Sequence, residues 1–101
     1  MQQVAVQGEM EQRTEEVSSV LRALGNPRRL QVLRLLSTRE LSASQINEHF
    51  PDVSQSALSQ HLARLRDEGL VFTRRQSHAV LYSLATGPAE LIVTALNDIY
   101  F

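Results

Sequence analysis

Residues 54–66 combine side chains that can read DNA bases with the spacing of an amphipathic helix. At about 100° per residue, Leu58, Leu62 and Leu65 fall on one side of the helix, which must face a core. The opposite side is polar and short-chained, and it carries Ser56, Ser59, Gln60 and Arg64. Gln pairs bidentately with adenine, Ser reaches phosphate or base edges, and Arg binds guanine or phosphate. The segment therefore predicts a recognition helix for double-stranded DNA.

The start of this helix offers a second kind of DNA contact. Ser54 is a typical capping residue, and Gln55 follows it as the first helical position. Backbone N–H groups at a helix N-terminus lack intrahelical partners and can bind a phosphate. We therefore add Ser54 and Gln55 to the predicted DNA contacts.

A β-hairpin is predicted after the recognition helix, because residues 70–75 and 79–84 read as two strands. The segment Gln76-Ser77-His78 forms the polar turn between them. Arginines at such a tip can reach the DNA backbone or a narrowed minor groove. The alternative is a turn that only favours solubility, but the adjoining helices favour a DNA-binding wing. The predicted wing contacts are Arg74, Arg75, Gln76 and Ser77.

Four helices are predicted before this hairpin and one after it. The first begins at Glu9, and Asn26 caps the second, with Pro27 at its first position. Ser42 begins the third helix with the spacing of a capping box, and residues 51–53 form the short link of a helix-turn-helix. The order predicts a mainly α fold with a small β-hairpin, a winged helix-turn-helix.

The predicted domain organisation is simple. Residues 1–8 lack periodicity and are expected to be a flexible tail, and residues 9–101 form one winged-helix domain for DNA binding and dimerisation. No apolar run approaches the roughly 18 residues that span a bilayer, and residues 1–8 lack the positive charge of a signal peptide. We expect a cytoplasmic protein that does not contact a membrane.

Composition argues against an enzyme. The chain has 101 residues and no cysteine, and its sequence shows no nucleophile–base pair, Gly-rich phosphate loop or metal cluster. The net charge is −1, but all ten basic residues are arginine, and nine of them lie outside residues 9–16, where four acids gather. A nearly neutral protein with segregated charge can still present one basic face to nucleic acid.

The end helices predict a homodimer. They carry more apolar surface than a core of this size can cover, so a second copy is expected to bury the remainder. The predicted interface residues are Met10, Val17, Val20, Leu21, Leu91, Ile92, Ala95, Leu96, Ile99 and Tyr100. Two-fold symmetry would place the two copies of Gln60 about 34 Å apart, one turn of a palindromic operator.

Two stretches resemble a known family. The sequence of residues 54–71, SQSALSQHLARLRDEGLV, is similar to the recognition helix of ArsR/SmtB transcriptional regulators, and so is ALGNPRRL at residues 23–30. The resemblance covers residues 17–100 and looks closest to the HlyU/BigR-like branch. It implies a dimer of winged helices, joined through the first and last helices, that binds an operator and represses transcription or relieves silencing.

The chain departs from this family at the sensing positions that the resemblance implies. Serines Ser42 and Ser44 stand where metal-binding members have cysteines, and serine is a poor ligand for soft metals. The last helix has Glu90 and Asp98 but no histidine, and Arg34 and about Phe101 match the redox cysteines of the HlyU/BigR-like branch. We expect no metal and no cofactor, and an unidentified small-molecule effector stays open.

Three histidines, His49, His61 and His78, are too scattered along the elements to predict one metal site. Imidazole gains charge near pH 6.5, so His61 or His78 could make DNA binding depend on pH. The competing function is a winged helix used for protein interaction without direct DNA reading. That function would require an apolar patch on the fourth helix, where the sequence has Ser56, Ser59 and Gln60.

Overall fold

A computed structural model describes residues 2–101, with side-chain burial from residue 7 onward. These residues form five helices and three strands. In chain order they are α1 (Gln2–Leu24), α2 (Pro27–Leu36), β1 (Leu41–Ser42), α3 (Ala43–Glu48), α4 (Gln55–Asp67), β2 (Val71–Gln76), β3 (Ala79–Leu84) and α5 (Pro88–Tyr100). The predicted winged helix-turn-helix order is confirmed, with one short strand added. No helix in this described part is long and apolar enough to cross a membrane.

Side-chain caps begin three of the helices, as the sequence predicts. The Oδ1 atom of Asn26 accepts hydrogen bonds from the backbone N–H groups of Arg28 and Arg29 at 3.0 and 3.1 Å. Ser42 and Gln45 form a reciprocal capping box at the start of α3, with bonds of 2.9 and 3.2 Å. The Oγ atom of Ser54 accepts from the N–H of Ala57 at 3.1 Å and caps α4. These caps satisfy N–H groups that would otherwise lack partners.

The first helix begins earlier than predicted. It starts at Gln2 rather than at the predicted Glu9, whereas the flexibility expected for residues 1–8 stays a prediction. Met1, the first residue of that predicted tail, lies outside the described residues. Apart from Gly8, residues 2–8 are Gln, Val and Ala without proline. A single helical glycine costs only about 1 kcal/mol relative to alanine, which does not end a helix.

The sheet has a strand that the sequence did not predict. The strand β1 is two residues long and pairs antiparallel with β3, giving the order β1-β3-β2. The turn of the hairpin is also shorter than predicted, because Gln76 pairs with Ala79 and only Ser77 and His78 lie between the strands. Ser77 has φ 55°, a left-handed conformation that this tight connection requires.

One hydrophobic core joins all the elements. Its fully buried side chains include Leu33 of α2, Ile46 of α3 and Val71 of β2, together with the three leucines of α4. Helix α5 contributes Ala89 and Val93, which the sequence analysis did not identify as core residues. The α5 residues that it assigned to the dimer interface include Leu91 and Ile99, which lie at the surface.

The cap of α2 leads to a stability prediction. We expect Asn26→Ala to lower the free energy of unfolding by about 0.5–2 kcal/mol, because two N–H groups lose their acceptor. Urea denaturation at fixed protein concentration measures this change. Asn26→Asp keeps an acceptor oxygen and serves as the control, so equal losses in the two variants would contradict the capping role.

Candidate nucleic-acid interface

The recognition helix α4 presents the predicted polar face to solvent. Its leucines Leu58, Leu62 and Leu65 are 2%, 2% and 0% exposed and hold the helix to the core. On the other side, Ser56, Ser59 and Gln60 are exposed. The structure therefore leaves these three side chains accessible to a DNA groove while the buried leucines fix their direction.

The beginning of α4 leaves backbone N–H groups without helical partners. The hydroxyl of Ser54 is used within the protein, because it caps Ala57 and lies 3.3 Å from the hydroxyl of Ser56. By helix geometry, the backbone N–H groups of Gln55 and Ser56 have no intrahelical carbonyl partner. Both residues are exposed, and N–H groups at the positive end of a helix dipole can bind a phosphate.

The turn before α4 is held by side-chain contacts that the sequence analysis missed. The Nδ2 atom of Asn47 donates to the carbonyl oxygens of Val53 at 2.9 Å and Phe50 at 3.4 Å. The guanidinium of Arg28 forms an ion pair with Asp52 at 2.6 Å and lies 5.3 Å from the centroid of the Phe50 ring. Every residue carries a backbone carbonyl, so hydrogen bonds from the Asn47 side chain to the carbonyls three and six residues later leave no distinct signal in the sequence. These contacts tie the helix-turn-helix link to α2 and so help to position α4.

The two wing arginines lie on opposite faces of the sheet. In β2, Val71, Thr73 and Arg75 share a face by alternation, and the burial of Val71 shows that this face packs on the core with α4. Arg74 lies on the outer face, where its Nε and Nη2 atoms donate to the two carboxylate oxygens of Glu40, both at 2.8 Å. Of the two arginines, Arg75 is therefore the one on the side of the recognition helix.

Arg64, another predicted DNA contact, also has an acidic partner. Arg64 forms an ion pair with Glu68 at 3.3 Å, and Glu68 accepts a hydrogen bond of 2.7 Å from the hydroxyl of Ser19 in α1. The hydrogen bond from Arg74 lowers the pKa of Glu40, and the same bond raises the pKa of Arg74. Within residues 7–101, Arg75 is the predicted arginine contact without an acidic partner within 4.0 Å.

The remaining wing residues sit at the tip. Gln76 is exposed at the last paired position of β2, and Ser77 is exposed in the turn. Both therefore lie where a wing could approach a DNA backbone. The structure brings together Ser56, Ser59 and Gln60 on one helix and Arg75, Gln76 and Ser77 on one hairpin. Arg74 and Arg64 are the two predicted contacts that carboxylates already occupy.

Most of the predicted interface residues are exposed in the single chain. In α1, Met10, Val17 and Leu21 are 62%, 56% and 55% exposed. In α5, Leu91 and Ile99 are 71% and 70% exposed. Tyr100 and Ala95 are exposed as well, whereas the half-buried members of the predicted set are Val20, Ile92 and Leu96.

Protein contacts occupy the positions that the family resemblance links to sensing. Ser42 caps α3, and its hydroxyl lies 3.3 Å from that of Ser44. The guanidinium of Arg34 lies 3.3 Å from the centroid of the Phe101 ring, and its Nε atom donates to Asn97 at 2.8 Å. The two residues matched to redox cysteines are thus in contact, and they hold the end of α5 against α2.

The three histidines have separate surroundings. The Nδ1 atom of His49 lies 3.0 Å from the carbonyl oxygen of Gln45, His61 is half-buried on α4, and His78 is exposed in the wing turn. Among the described residues, no three His, Cys, Asp or Glu side chains are grouped so that they could hold a metal ion.

Together, the buried leucine stripe, the exposed polar face of α4 and the hairpin define a winged helix-turn-helix DNA-binding regulator. Comparison with known proteins gives the family. Residues 26–73 match the family described as "Bacterial regulatory protein, arsR family". The transcriptional activator HlyU of Vibrio cholerae is 40% identical over 92 residues, which cover 91% of this chain and 84% of that protein. The chain belongs to the ArsR family, whose members regulate transcription and are not enzymes.

Further relatives and structures agree with this assignment. The biofilm growth-associated repressor of Agrobacterium fabrum is 36% identical over 91 residues, covering 90% of this chain and 77% of the repressor. Reduced HlyU from Vibrio cholerae superimposes with a TM-score of 0.82 at 40% identity and covers 91% of this chain and 96% of that chain. A homodimeric winged helix-turn-helix DNA-binding domain from Mycobacterium bovis gives a TM-score of 0.79 at 27% identity, with 88% and 82% covered. ArsR-family regulators bind DNA and act as homodimers.

The surroundings of His61 lead to a pH prediction. Burial lowers the pKa of His61, and the positive charges of Arg29 and Arg28 lower it further. The unfolded chain therefore takes up a proton at a higher pH than the folded chain does. This contribution to stability is fully present above the ordinary histidine pKa of about 6.5, and it is lost as the pH falls through the lowered value.

We expect the urea midpoint of the wild-type protein to fall between about pH 7.5 and pH 5.5, and His61→Gln to flatten this dependence. His78→Gln, in the exposed turn, is the matched control. An equal pH slope in wild-type protein and His61→Gln would show that another group is responsible. An effect of either histidine on DNA binding stays a prediction, which flat operator affinity between about pH 5.5 and 8 would contradict.

Proposed function

We propose that this chain is a sequence-specific regulator that binds a palindromic operator as a dimer and acts as a repressor or anti-silencer. In this proposal α4 enters the major groove of each half-site, and Ser56, Ser59 and Gln60 contact base edges or nearby phosphates. The observation that carries the proposal is the exposed polar face of α4 opposite three buried leucines. Relatives named as an activator and as repressors leave both directions of control open.

The wing supplies contacts that do not depend on sequence. Arg75 lies on the same face of the sheet as the core-facing Val71, towards α4, and Gln76 and Ser77 follow it at the tip. An arginine there can bind the phosphate backbone or a narrowed minor groove beside the base pairs that α4 reads. Base contacts by Gln60 and backbone contacts by Arg75 are therefore expected to have different consequences when removed.

The dimer is proposed to form through α1 and α5. Leu91, Ala95 and Ile99 follow one another at intervals of four residues, so they form one exposed stripe on α5. Met10, Val17 and Leu21 supply exposed apolar side chains on α1. Burial of such side chains against a second copy is favourable at roughly 25 cal/mol per Å² of apolar surface. A two-fold axis would then place the two Gln60 side chains about 34 Å apart.

We expect Gln60→Ala to cost about 1–3 kcal/mol of binding free energy on a preferred duplex and to relax the sequence preference. The measurement is fluorescence anisotropy on a duplex that the wild-type protein selects from a random library, compared with a scrambled duplex. Arg75→Ala should weaken binding to both duplexes equally and reduce the salt slope by about one.

The exposed amide of Gln31 on α2 offers a matched control, because Gln31→Ala also removes an amide but lies on another helix. Binding that is unchanged in both Gln60→Ala and Arg75→Ala would contradict the DNA-reading surface. That result would favour a winged helix used for protein interaction.

We expect Ile99→Glu to convert the dimer to a monomer and to weaken operator binding, because a carboxylate would enter an apolar interface. Sedimentation equilibrium measures the oligomeric state. Thr94→Glu places the same charge at an exposed position of α5 that lines a crevice with Leu36 and Ser83 of the same chain, and it should stay dimeric. Dimerisation that survives Ile99→Glu would place the interface elsewhere.

A further inference from the structure

The ion pair between Glu40 and Arg74 crosses the sheet on the face opposite the core. Arg74 in β2 is aligned with Leu81 of β3, and Ser42 of β1 is aligned with Leu81 from the other side. The side chain of Arg74 therefore spans the central strand to reach Glu40, two residues before Ser42. Both guanidinium hydrogen bonds are 2.8 Å long, so the pair has the bidentate geometry that fixes the direction of an arginine.

Stability alone does not account for this pair. Its side chains are 53% and 36% exposed, and exposed ion pairs contribute only about 0.2–1 kcal/mol. The hairpin is already held by a register of six residue pairs from Val71↔Leu84 to Gln76↔Ala79. The larger consequence is electrostatic, because the carboxylate neutralises an arginine next to Arg75 and holds its guanidinium across β3 towards β1.

This position matters for DNA binding because Arg74 is three residues from Ser77 in the turn. Each phosphate contact by a cation adds about 0.9 to the slope of log Kobs against log salt concentration, whatever the DNA sequence. An unpaired Arg74 near the tip could make one such contact. While Glu40 is present, a phosphate that approaches Arg74 meets a carboxylate of like charge.

We propose that Glu40 limits the sequence-independent DNA affinity of the wing by neutralising Arg74 and holding its guanidinium across β3, away from the hairpin tip. The inference rests on the proposed DNA-binding function. It assigns to Glu40 a positioning role that acts through Arg74, and it makes Arg75 the main phosphate contact of the hairpin. The lowered pKa of Glu40 is consistent with this role, because the carboxylate stays ionised throughout the neutral range.

The test uses the full chain and a fluorescein-labelled duplex of about 30 base pairs with mixed sequence, titrated between about 50 and 200 mM NaCl. Glu40→Ala should steepen the salt slope by about 0.9. If the new contact contributes nothing at 1 M salt, this slope corresponds to about eightfold tighter binding at 0.1 M. Adding Arg74→Ala to Glu40→Ala should return the slope and the affinity to the wild-type values.

A matched control separates this effect from a general change in charge. Glu90 lines the same surface crevice as Glu40, is exposed and forms no ion pair within the described residues. Glu90→Ala removes the same charge from the same neighbourhood without releasing an arginine. Its salt slope should stay within a few tenths of the wild-type value, because no new phosphate contact is formed.

Three results would overturn the inference. Glu40→Ala could leave the salt slope unchanged, or it could weaken binding, as expected if the ion pair only stabilises the hairpin. Arg74→Ala alone could reduce the slope by about 0.9, which would show that Arg74 already contacts phosphate in the presence of Glu40. Failure of the wild-type protein to bind any duplex is a different outcome, since it would remove the proposed function itself.

Discussion

Burial of the leucine stripe on α4 is the constraint on which the proposed DNA-binding surface depends. Leu58, Leu62 and Leu65 are 2%, 2% and 0% exposed, and they fix the rotation of the helix about its own axis. A rotation that exposed them would cost roughly 1.5–3 kcal/mol for each side chain. Ser56 and Gln60 therefore face outward because the opposite side cannot. The polar face needs no interaction of its own to be held in place, so its residues are available for recognition.

Around this helix, several arginines form ion pairs within the protein, which leaves fewer of them free to bind phosphate. Arg28 pairs with Asp52 and lies over Phe50, and so connects α2 with the turn that precedes α4. Arg64 pairs with Glu68 in the last turns of α4. A basic side chain in the sequence is therefore an incomplete guide to phosphate binding, because a nearby carboxylate can neutralise its charge. The positions of acids along the sequence do not reveal which arginines are neutralised, because paired residues such as Arg28 and Asp52 are 24 residues apart.

Sequence patterns predicted the features that depend on neighbouring residues. The caps at Asn26, Ser42 and Ser54 and the buried face of α4 follow from spacings of a few residues. The strand β1 was missed because two residues carry no detectable alternation. The pair between Glu40 and Arg74 spans 34 residues, and its partners meet only after β1, β3 and β2 assemble. The order of the helices was predicted correctly. The observed candidate site differs from the predicted one mainly in these long-range contacts.

The contact between Arg34 and Phe101 joins α5 to α2. It holds the last residue of the chain to α2, and Arg34 also binds Asn97 within α5. The same helix α5 presents the exposed stripe of the proposed dimer, and α2 packs against α4. A displacement of α5 would therefore act on both the spacing of two recognition helices and the helix that supports each one. In this chain an arginine–aromatic contact, which needs no thiol, joins α5 to α2.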